Sequence, residues 1–388
     1  MAVLLPLFLA AGGGFLWAFG VLGKRIGVEG ATVETQTVRA AITIFVYTLT
    51  TACTPLLDLW HLGAKGWFET WNDPVWSSRV PLVIVCGVIS GLGGLLGTIA
   101  FAWSAGSDSA LVSMIENGMY TMMSAIIIAI YFQEHPKIQA YFGFVLILLG
   151  VLLAQKSSSS KGKGENESDS EEHPPQFELE LWEPKKLGKT EEEAEDLESS
   201  EASSSTDARH ERCGASRFSA PSCFGRCGAV ALAMCAGSCW GFGPLGKKIG
   251  VHGSEDHQRQ AWAACTYFVY MLSTIFVPLL RVLTAHGRRE ALEDSSFRCR
   301  LLGTVLCGLV SGFGGMLSTF AFAQEGYYSG ALISTVENGI YTVFGAVLIT
   351  VVFREKLSQR QLISALSVTL AIVIFGLDFK KIFGGSSD

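Results

Sequence analysis

Ten apolar runs, each long enough to cross a lipid bilayer as a helix, constrain this chain more than any other feature. About 20 helical residues span the hydrocarbon core, where a helix satisfies its own backbone hydrogen bonds. The runs do not alternate polar and apolar residues as the strands of a membrane barrel do. The predicted fold class is therefore an all-α polytopic membrane protein, an integral multi-pass protein with spans near Val3–Leu22, Ala40–Trp60, Val80–Ser104, Ser109–Phe132, Ile138–Ala154, Cys227–Leu245, Ala261–Leu280, Leu301–Gln324, Ser329–Phe353 and Leu362–Leu377.

The negative charge of the chain is concentrated between the fifth and sixth runs. Residues 156–226 carry 17 acidic and 10 basic side chains, a net charge of −7, whereas the whole chain has −6 and its remainder therefore +1. This segment is rich in Ser and Glu and poor in apolar residues, which predicts a disordered linker. The predicted domains are a first five-helix repeat (1–155), the linker (156–226) and a second five-helix repeat (227–388). The acidic balance gives no support for nucleic-acid binding.

The two halves of the chain repeat each other. The segment that begins at Trp17 (WAFGVLGKRIG) matches the one that begins at Trp240 (WGFGPLGKKIG), and ENGMYT at Glu116 matches ENGIYT at Glu337. Each half has five spans, an odd number, so the second half must enter the membrane from the opposite side. The pattern predicts ten transmembrane helices as two inverted five-helix repeats, which is typical of secondary transporters that work by alternating access.

The repeated segments resemble the drug/metabolite transporter superfamily in its EamA-like, ten-helix form. The resemblance covers both halves but not the linker, and it implies a central cavity lined by the first, third, fourth, sixth, eighth and ninth helices. It rests on a tryptophan followed by a basic residue in the first helix of each half, and on a glutamate that precedes the last, Leu/Gly-rich helix of each half: Trp17…Lys24, Trp240-Gly241…Lys247, Glu134 and Glu355.

A polar stripe at helical spacing runs along the fourth predicted helix and recurs on the ninth. An ionised carboxylate in hydrocarbon costs about 2.5–3.5 kcal/mol, so it normally faces a cavity or a partner. A carboxyl group removed from water also binds a proton more readily. We therefore expect a substrate-binding or proton-binding site formed by Glu116, Asn117, Tyr120, Glu337, Asn338, Tyr341, Trp17, Trp240, Lys24 and Lys247.

Two interpretations of the charged residues remain open from the sequence. Each glutamate either exchanges a proton or is permanently paired, with Lys24 for Glu116 and Lys247 for Glu337, and then only fixes helix register. The basic pairs that begin at these two lysines either attract an anionic group to each mouth of the cavity or extend to the lipid head groups from helix ends.

Two further patterns concern packing. The glycine-rich segments 90–97 and 308–315 lack the Lys-Ser/Thr of a phosphate loop, so close helix packing is their expected role. A row of tryptophans after the second span is typical of anchors at the membrane interface: Trp60, Trp67, Trp71 and Trp76.

The function that these features predict is a secondary active transporter of a small polar or charged metabolite, proton-coupled or an exchanger. One alternative is a cation channel or divalent-cation carrier in which Glu116 and Glu337 bind the ion. Another is an intramembrane enzyme that uses both glutamates as acid and base, which the lack of a nucleophile constellation disfavours. We expect no catalytic residue, metal or cofactor, and as partners a small-molecule substrate, protons and the lipid bilayer. The positive-inside rule places the linker in the cytosol, whereas the family resemblance places both termini there and the linker on the other side.

Overall fold

The structure of the chain is a computed structural model, and it describes four stretches, residues 4–104, 109–134, 223–324 and 329–355. These stretches belong to one compact unit. The predicted spans Ile138–Ala154 and Leu362–Leu377 and the predicted linker 156–226 lie outside the described residues, except where a helix begins at Cys223 and at a few single positions. The single positions, all helical, are 142, 145, 146, 149, 359, 363, 366, 367 and 370.

Every regular element in the four described stretches is a helix, which confirms the all-helical fold class. In chain order the helices are α1 (Leu5–Val28), α2 (Gln36–Asn72), α3 (Pro74–Trp103), α4 (Ser109–Tyr131), α5 (Cys223–Trp240), α6 (Phe242–Val251), α7 (Arg259–Thr284), α8 (Arg288–Glu293), α9 (Ser295–Ala323) and α10 (Gly330–Val352).

Eight helical segments are long and apolar enough to cross a membrane, and each overlaps one of the ten predicted spans. They are α1, the first part of α2 (Gln36–Asp58), α3, α4, α5 together with α6 (Cys227–Val251), α7, α9 and α10. By length and composition these helices are those of a multi-pass integral membrane protein.

Helix α1 runs past the end that the sequence predicted. The predicted span ends at Leu22, before two charged residues, but α1 continues to Val28. Lys24 and Arg25 are 2% and 6% exposed inside it. The prediction of a helix end was wrong because these charges have partners on distant parts of the chain, which a local pattern does not reveal.

The corresponding helix of the second half is interrupted. Helix α5 ends at Trp240 and α6 begins at Phe242. Pro244 gives the reason, since it has no backbone N–H and its ring would clash with the carbonyl of Trp240 four residues earlier. The first half has Val21 at the position equivalent to Pro244, and α1 is continuous there.

The segment between the second and third predicted spans is helical rather than a loop. Helix α2 extends to Asn72 across a kink at Gly63, whose φ of 72° suits a glycine. Trp60 is 89% exposed, as an interfacial anchor would be, but Trp76 is 2% exposed. The Trp76 indole N–H donates a hydrogen bond to Thr266 Oγ1 at 3.1 Å. The prediction that Trp76 is an interfacial anchor was therefore wrong.

Helices α1 and α9 pack closely and run antiparallel. Gly13 lies opposite Gly314, and Gly23 lies opposite Cys307. A Cβ atom on Gly314 would lie only 2.7 Å from the carbonyl oxygen of Gly13. A side chain at this position would therefore push the two backbones apart.

Helices α3 and α5–α6 repeat this arrangement. Gly93 lies opposite Ala236, and Cys86 lies opposite Gly246. A Cβ atom on Gly93 would lie 2.8 Å from the carbonyl oxygen of Ala236. The expected packing role of the two glycine-rich segments is thus confirmed.

Candidate functional site

Two lysine–glutamate pairs lie inside the helix bundle at equivalent positions of the sequence repeat. Lys24 of α1 donates to Glu116 Oε1 of α4 at 2.7 Å, and both side chains are 2% exposed. Lys247 of α6 donates to Glu337 Oε1 of α10 at 2.9 Å, with side chains 1% and 2% exposed. The pairing that the sequence left open is confirmed as a contact in the structure, and each ammonium neutralises a carboxylate away from water.

The two tryptophans of the repeated motif cover the lysines of the opposite halves. Lys247 Nζ lies 5.5 Å from the ring centre of Trp17, and Lys24 Nζ lies 5.7 Å from the ring centre of Trp240. An ammonium at this distance from an indole face is attracted by the negative face of the ring. Each pair therefore depends on an aromatic ring that the other half contributes.

A small cavity lies between these pairs. Its volume is about 20 Å³. This is enough for a water molecule, since about 10–15 Å³ of cavity holds one. It is lined by six aromatic rings, two amides, two lysines and one glutamate, namely Trp17, Tyr47, Tyr120, Trp240, Tyr270, Tyr341, Asn117, Asn338, Lys24, Lys247 and Glu337. The lining combines flat apolar faces with hydrogen-bonding groups, as in a binding site for a small polar molecule.

The structure brings all ten predicted site residues together around this cavity. Nine of them line it, and the tenth, Glu116, lies behind Lys24. Two lining residues were missed from the sequence, Tyr47 and Tyr270. Both stand in a Phe-Val-Tyr tripeptide that recurs at the offset of 223 residues, and this repeat could have identified them.

The polar stripes of α4 and α10 contact each other directly. The hydroxyls of Ser124 and Ser334 are 2.8 Å apart, and Asn338 Nδ2 donates to Ser124 Oγ at 3.2 Å. The rings of Tyr120 and Tyr341 meet edge to face with their centres 6.3 Å apart. The stripes thus face the partner helix and the cavity, as expected for polar groups that avoid lipid.

A carboxylate that follows α4 holds the beginning of α10. Glu134 accepts hydrogen bonds from the backbone N–H groups of Gly330 at 3.3 Å and Ala331 at 3.4 Å. It also forms an ion pair with Lys248 of α6, whose ammonium lies 4.1 Å from the ring centre of Phe132. The free N–H groups at a helix N-terminus favour a negative charge there, so Glu134 ties three helices together.

The equivalent carboxylate after α10 holds the beginning of α4. Glu355 Oε2 accepts a hydrogen bond from the N–H of Ala110 at 3.1 Å. Arg25 of α1 donates to Ser109 Oγ at 2.7 Å, and its guanidinium lies 4.5 Å from the ring centre of Phe353. Helices α4 and α10 therefore lie antiparallel, and residues at the C-terminal end of each hold the N-terminus of the other. We call these two sets of residues the end groups: Glu134 with Lys248, and Glu355 with Arg25.

A left-handed residue precedes each of these carboxylates. Gln133 has a φ of 53° and Arg354 a φ of 51°, uncommon values outside glycine. The chain turns sharply there and directs the next residue back toward the neighbouring helix. Glu116 and Glu337 lie seven residues, about 10 Å, into their helices, so the cavity lies between the two end groups.

The four basic residues of the repeated motif are buried inside the protein. Lys24, Arg25, Lys247 and Lys248 are 2%, 6%, 1% and 4% exposed. The interpretation in which they extend from helix ends to the lipid head groups was therefore wrong. Their charges are held by acidic or hydroxyl groups of other helices, which is how charges inside a protein normally occur.

Several buried polar atoms at the site have no hydrogen-bond partner among the described residues. Two are acceptors, Glu337 Oε2 and Asn338 Oδ1, and two are indole donors, on Trp17 and Trp240. A buried polar group without a partner is costly, so a water molecule or ligand that supplies the missing hydrogen bonds would be bound favourably there. The arrangement can bind a small molecule that offers both donors and acceptors, or a proton on the glutamate. Within the four described stretches, no group of three or more His, Cys, Asp or Glu residues is placed to hold a metal ion.

Comparisons with known proteins show no family for this chain. No family model matches it, and no curated protein matches it. Solved structures do match; one of them, described only as "Crystal structure of protein", has 12% sequence identity and a TM-score of 0.48 over 99% of this chain and 99% of that one.

Proposed function

We propose that the protein is a secondary carrier of a small polar or charged metabolite, built from two inverted five-helix repeats with ten transmembrane helices. The observation that carries the proposal is the cavity itself, which is lined by equivalent residues of both sequence repeats. The charge of each lysine in the lining is balanced by the glutamate with which it pairs. Secondary transporters built from inverted repeats bind substrate where the repeats meet. The antiparallel contact between α4 and α10 supports the inversion of the halves.

Alternating access requires a contact on each side of the cavity that can open and close, and the two end groups provide these contacts. One end group contains Glu134 and Lys248, the other Glu355 and Arg25, and each ties the C-terminal end of one long helix to the N-terminal end of the other. Opening the cavity to one side requires one group to separate while the other stays closed. A rocking motion of one half against the other separates them one at a time, because they lie at opposite ends of the α4–α10 pair.

The proposal extends to the drug/metabolite transporter superfamily. The lining helices that the resemblance implies are wrong in part, because the cavity is lined from the first, second, fourth, sixth, seventh and ninth predicted helices, and the third and eighth contribute no lining residue within the described stretches. The motif residues that resemble the drug/metabolite transporter superfamily, Trp17, Lys24, Trp240 and Lys247, all lie at the cavity. The other two, Glu134 and Glu355, lie in the end groups. This placement of all six supports a carrier of the ten-helix type, driven by a gradient or by exchange.

Purified protein in liposomes tests the function. A panel of sugars, amino acids, nucleosides, organic acids and amines is first scored by thermal stabilisation, because a ligand that binds the folded state raises its stability by mass action. A stabilising compound is then loaded inside the liposomes, and uptake of the labelled compound is measured. Counterflow supports a carrier, whereas a substrate-independent ion current supports the channel alternative and a chemically altered compound supports the enzyme alternative.

A pair of lysine variants provides the control. Lys247→Met should abolish counterflow, because it removes an ammonium from the cavity lining. Lys65→Met should retain it, since the Lys65 side chain is 88% exposed and lies 3.8 Å from Glu69, one helical turn away. Equal counterflow in both variants would contradict the assignment of the cavity.

A further inference from the structure

The two buried lysine–glutamate pairs differ at one position that breaks the sequence repeat. With the offset of 221 residues, Ser318 of α9 is equivalent to Gly97 of α3. Lys247 Nζ donates to Ser318 Oγ at 2.7 Å in addition to Glu337. Among the described residues, Lys24 has a single hydrogen-bond acceptor, Glu116. Within the described stretches, only the second lysine therefore has an acceptor other than its glutamate when that glutamate is neutralised.

The carboxylate of the first pair lies directly against Gly97, which has no side chain. A Cβ atom there would lie 2.6 Å from Glu116 Oε1 and 2.8 Å from Oε2, so the carboxylate occupies the space over the glycine. Glu116 also stands outside the cavity lining. The first pair is a close contact between α1, α3 and α4, and only its lysine belongs to the cavity lining.

The second pair is open on the side of the cavity. Glu337 belongs to the lining, and its Oε2 atom has no hydrogen-bond partner among the described residues. The Oδ1 atom of the next residue, Asn338, is also buried without a hydrogen-bond partner among the described residues. Two acceptors without donors lie side by side in the sequence of the same helix, and the cavity is large enough for a water molecule.

We propose that Glu337 is the proton-binding group of the cavity, that Ser318 is a positioning residue which retains Lys247 when Glu337 is neutral, and that the Lys24–Glu116 pair is fixed. The proton comes from a hydronium ion that reaches the cavity: one of its O–H bonds breaks, a new O–H bond forms at Glu337 Oε2, and a neutral water molecule is left. Lys247 then keeps the Ser318 hydroxyl and the faces of Trp17 and Phe322. A proton on Glu116 would instead deprive Lys24 of its negative partner with no other acceptor in the described residues.

Lys247 is the charge that governs this proton. Among the described residues, and apart from the charges of α1, the other titratable side chains that line the cavity or interact electrostatically with Glu337 are tyrosines: Tyr47 of α2, Tyr120 of α4, Tyr267 and Tyr270 of α7, and Tyr341 of α10. Tyrosine ionises near pH 10 in water, so these rings are neutral at physiological pH. The charges that α1 brings into the bundle, Lys24 and Arg25, are held by Glu116 and by the end group at Ser109.

Infrared difference spectroscopy of the purified protein during acidification tests the assignment. The carbonyl stretch of a protonated buried carboxyl group should appear in the wild type and in Glu116→Gln, and it should be absent from Glu337→Gln. Loss of the band in Glu116→Gln, equal reduction in both variants, or no band in the wild type would overturn the proposal.

A serine variant tests the assignment even if Glu337→Gln does not fold. Ser318→Ala should destabilise the state with a protonated Glu337 more than the state with an ionised Glu337. When Glu337 is neutral, Lys247 depends on the Ser318 hydroxyl, and the variant removes that hydroxyl. The midpoint of the band should shift to lower pH by about one unit, a tenfold change in proton affinity. The adjacent Thr319→Val is the matched control, since the Thr319 hydroxyl donates to the Gly315 carbonyl rather than to the pair. An unchanged midpoint in Ser318→Ala, or the same shift in both, would overturn the role of Ser318.

The link between this proton and transport rests on the proposed function. If the infrared results are as expected but no compound shows counterflow, the carrier proposal fails and the proton site stands. If counterflow occurs and the band belongs to Glu116, the carrier proposal stands and the present assignment fails.

Discussion

A double-mutant cycle on the Lys24–Glu116 pair measures what holds the first half of the site together. Lys24 Nζ and Glu116 Oε1 are 2.7 Å apart and both side chains are 2% exposed, so water does not screen the charges. Removing one partner of such a pair leaves a buried charge without compensation, and we expect Lys24→Met or Glu116→Leu alone to lower the free energy of unfolding by about 3–5 kcal/mol.

The double variant should recover most of this loss. Met and Leu have volumes similar to those of Lys and Glu, and the rings of Phe101 and Trp240 beside Lys24 offer them apolar contacts. Apolar replacement of both partners of a buried pair is often neutral or stabilising. We therefore expect Lys24→Met with Glu116→Leu to be destabilised by less than either single variant, within about 1 kcal/mol of the wild type.

The assay is equilibrium unfolding of the purified protein in mild detergent, followed for the four members of the cycle. The exposed pair Lys65 and Glu69, 3.8 Å apart with side chains 88% and 67% exposed, gives the control cycle and should show almost no coupling. If the losses of the buried single variants simply add in the double variant, or if the buried cycle resembles the exposed one, the reasoning about uncompensated charge is refuted.

Two further predictions concern packing and capping. Gly97→Ala should lower stability by about 1–3 kcal/mol, because its Cβ would displace the Glu116 carboxylate; Gly12→Ala, whose Cβ would be at an ordinary 3.7 Å from its nearest neighbour, should not, and thermal unfolding compares the two. At the start of α9, burial opposes ionisation of Asp294, but hydrogen bonds from Ser296 and the next backbone N–H, with the Arg39 guanidinium, hold the pKa of Asp294 below its ordinary value. The stability from this carboxylate is therefore complete above the ordinary pKa and is lost as the pH falls through the lowered one. Asp294→Asn should flatten this acid dependence of the unfolding midpoint, and an unchanged slope would contradict it.

The sequence predicted the site better than the helix boundaries. The repeats at Trp17 and Glu116 identified residues that meet in the folded chain, because a duplicated chain keeps the same contacts in both copies. The end of α1 was misplaced at Leu22, since the charge of Lys24 is neutralised by a residue 92 positions away. Only the folded arrangement reveals that partner.

Other features were hidden from the sequence for different physical reasons. Trp76 is a residue type typical of interfacial anchors and stands in a row of tryptophans. Its burial goes with a hydrogen bond to Thr266 in the other half of the chain, which the local sequence does not reveal. The difference between the two pairs rests on a single hydroxyl at Ser318. Its meaning emerges only once the lysine that binds it is known.

The exchange of tryptophans between the halves has a consequence for synthesis at the ribosome. Trp240 covers Lys24, and it follows Glu116 by 124 positions in the chain. At about 5–20 residues per second, the first pair exists for roughly 6–25 s before its covering ring has been made. During that interval the newly made first half must keep a charged pair among its own helices without its aromatic cover, and it remains incomplete until the second half arrives.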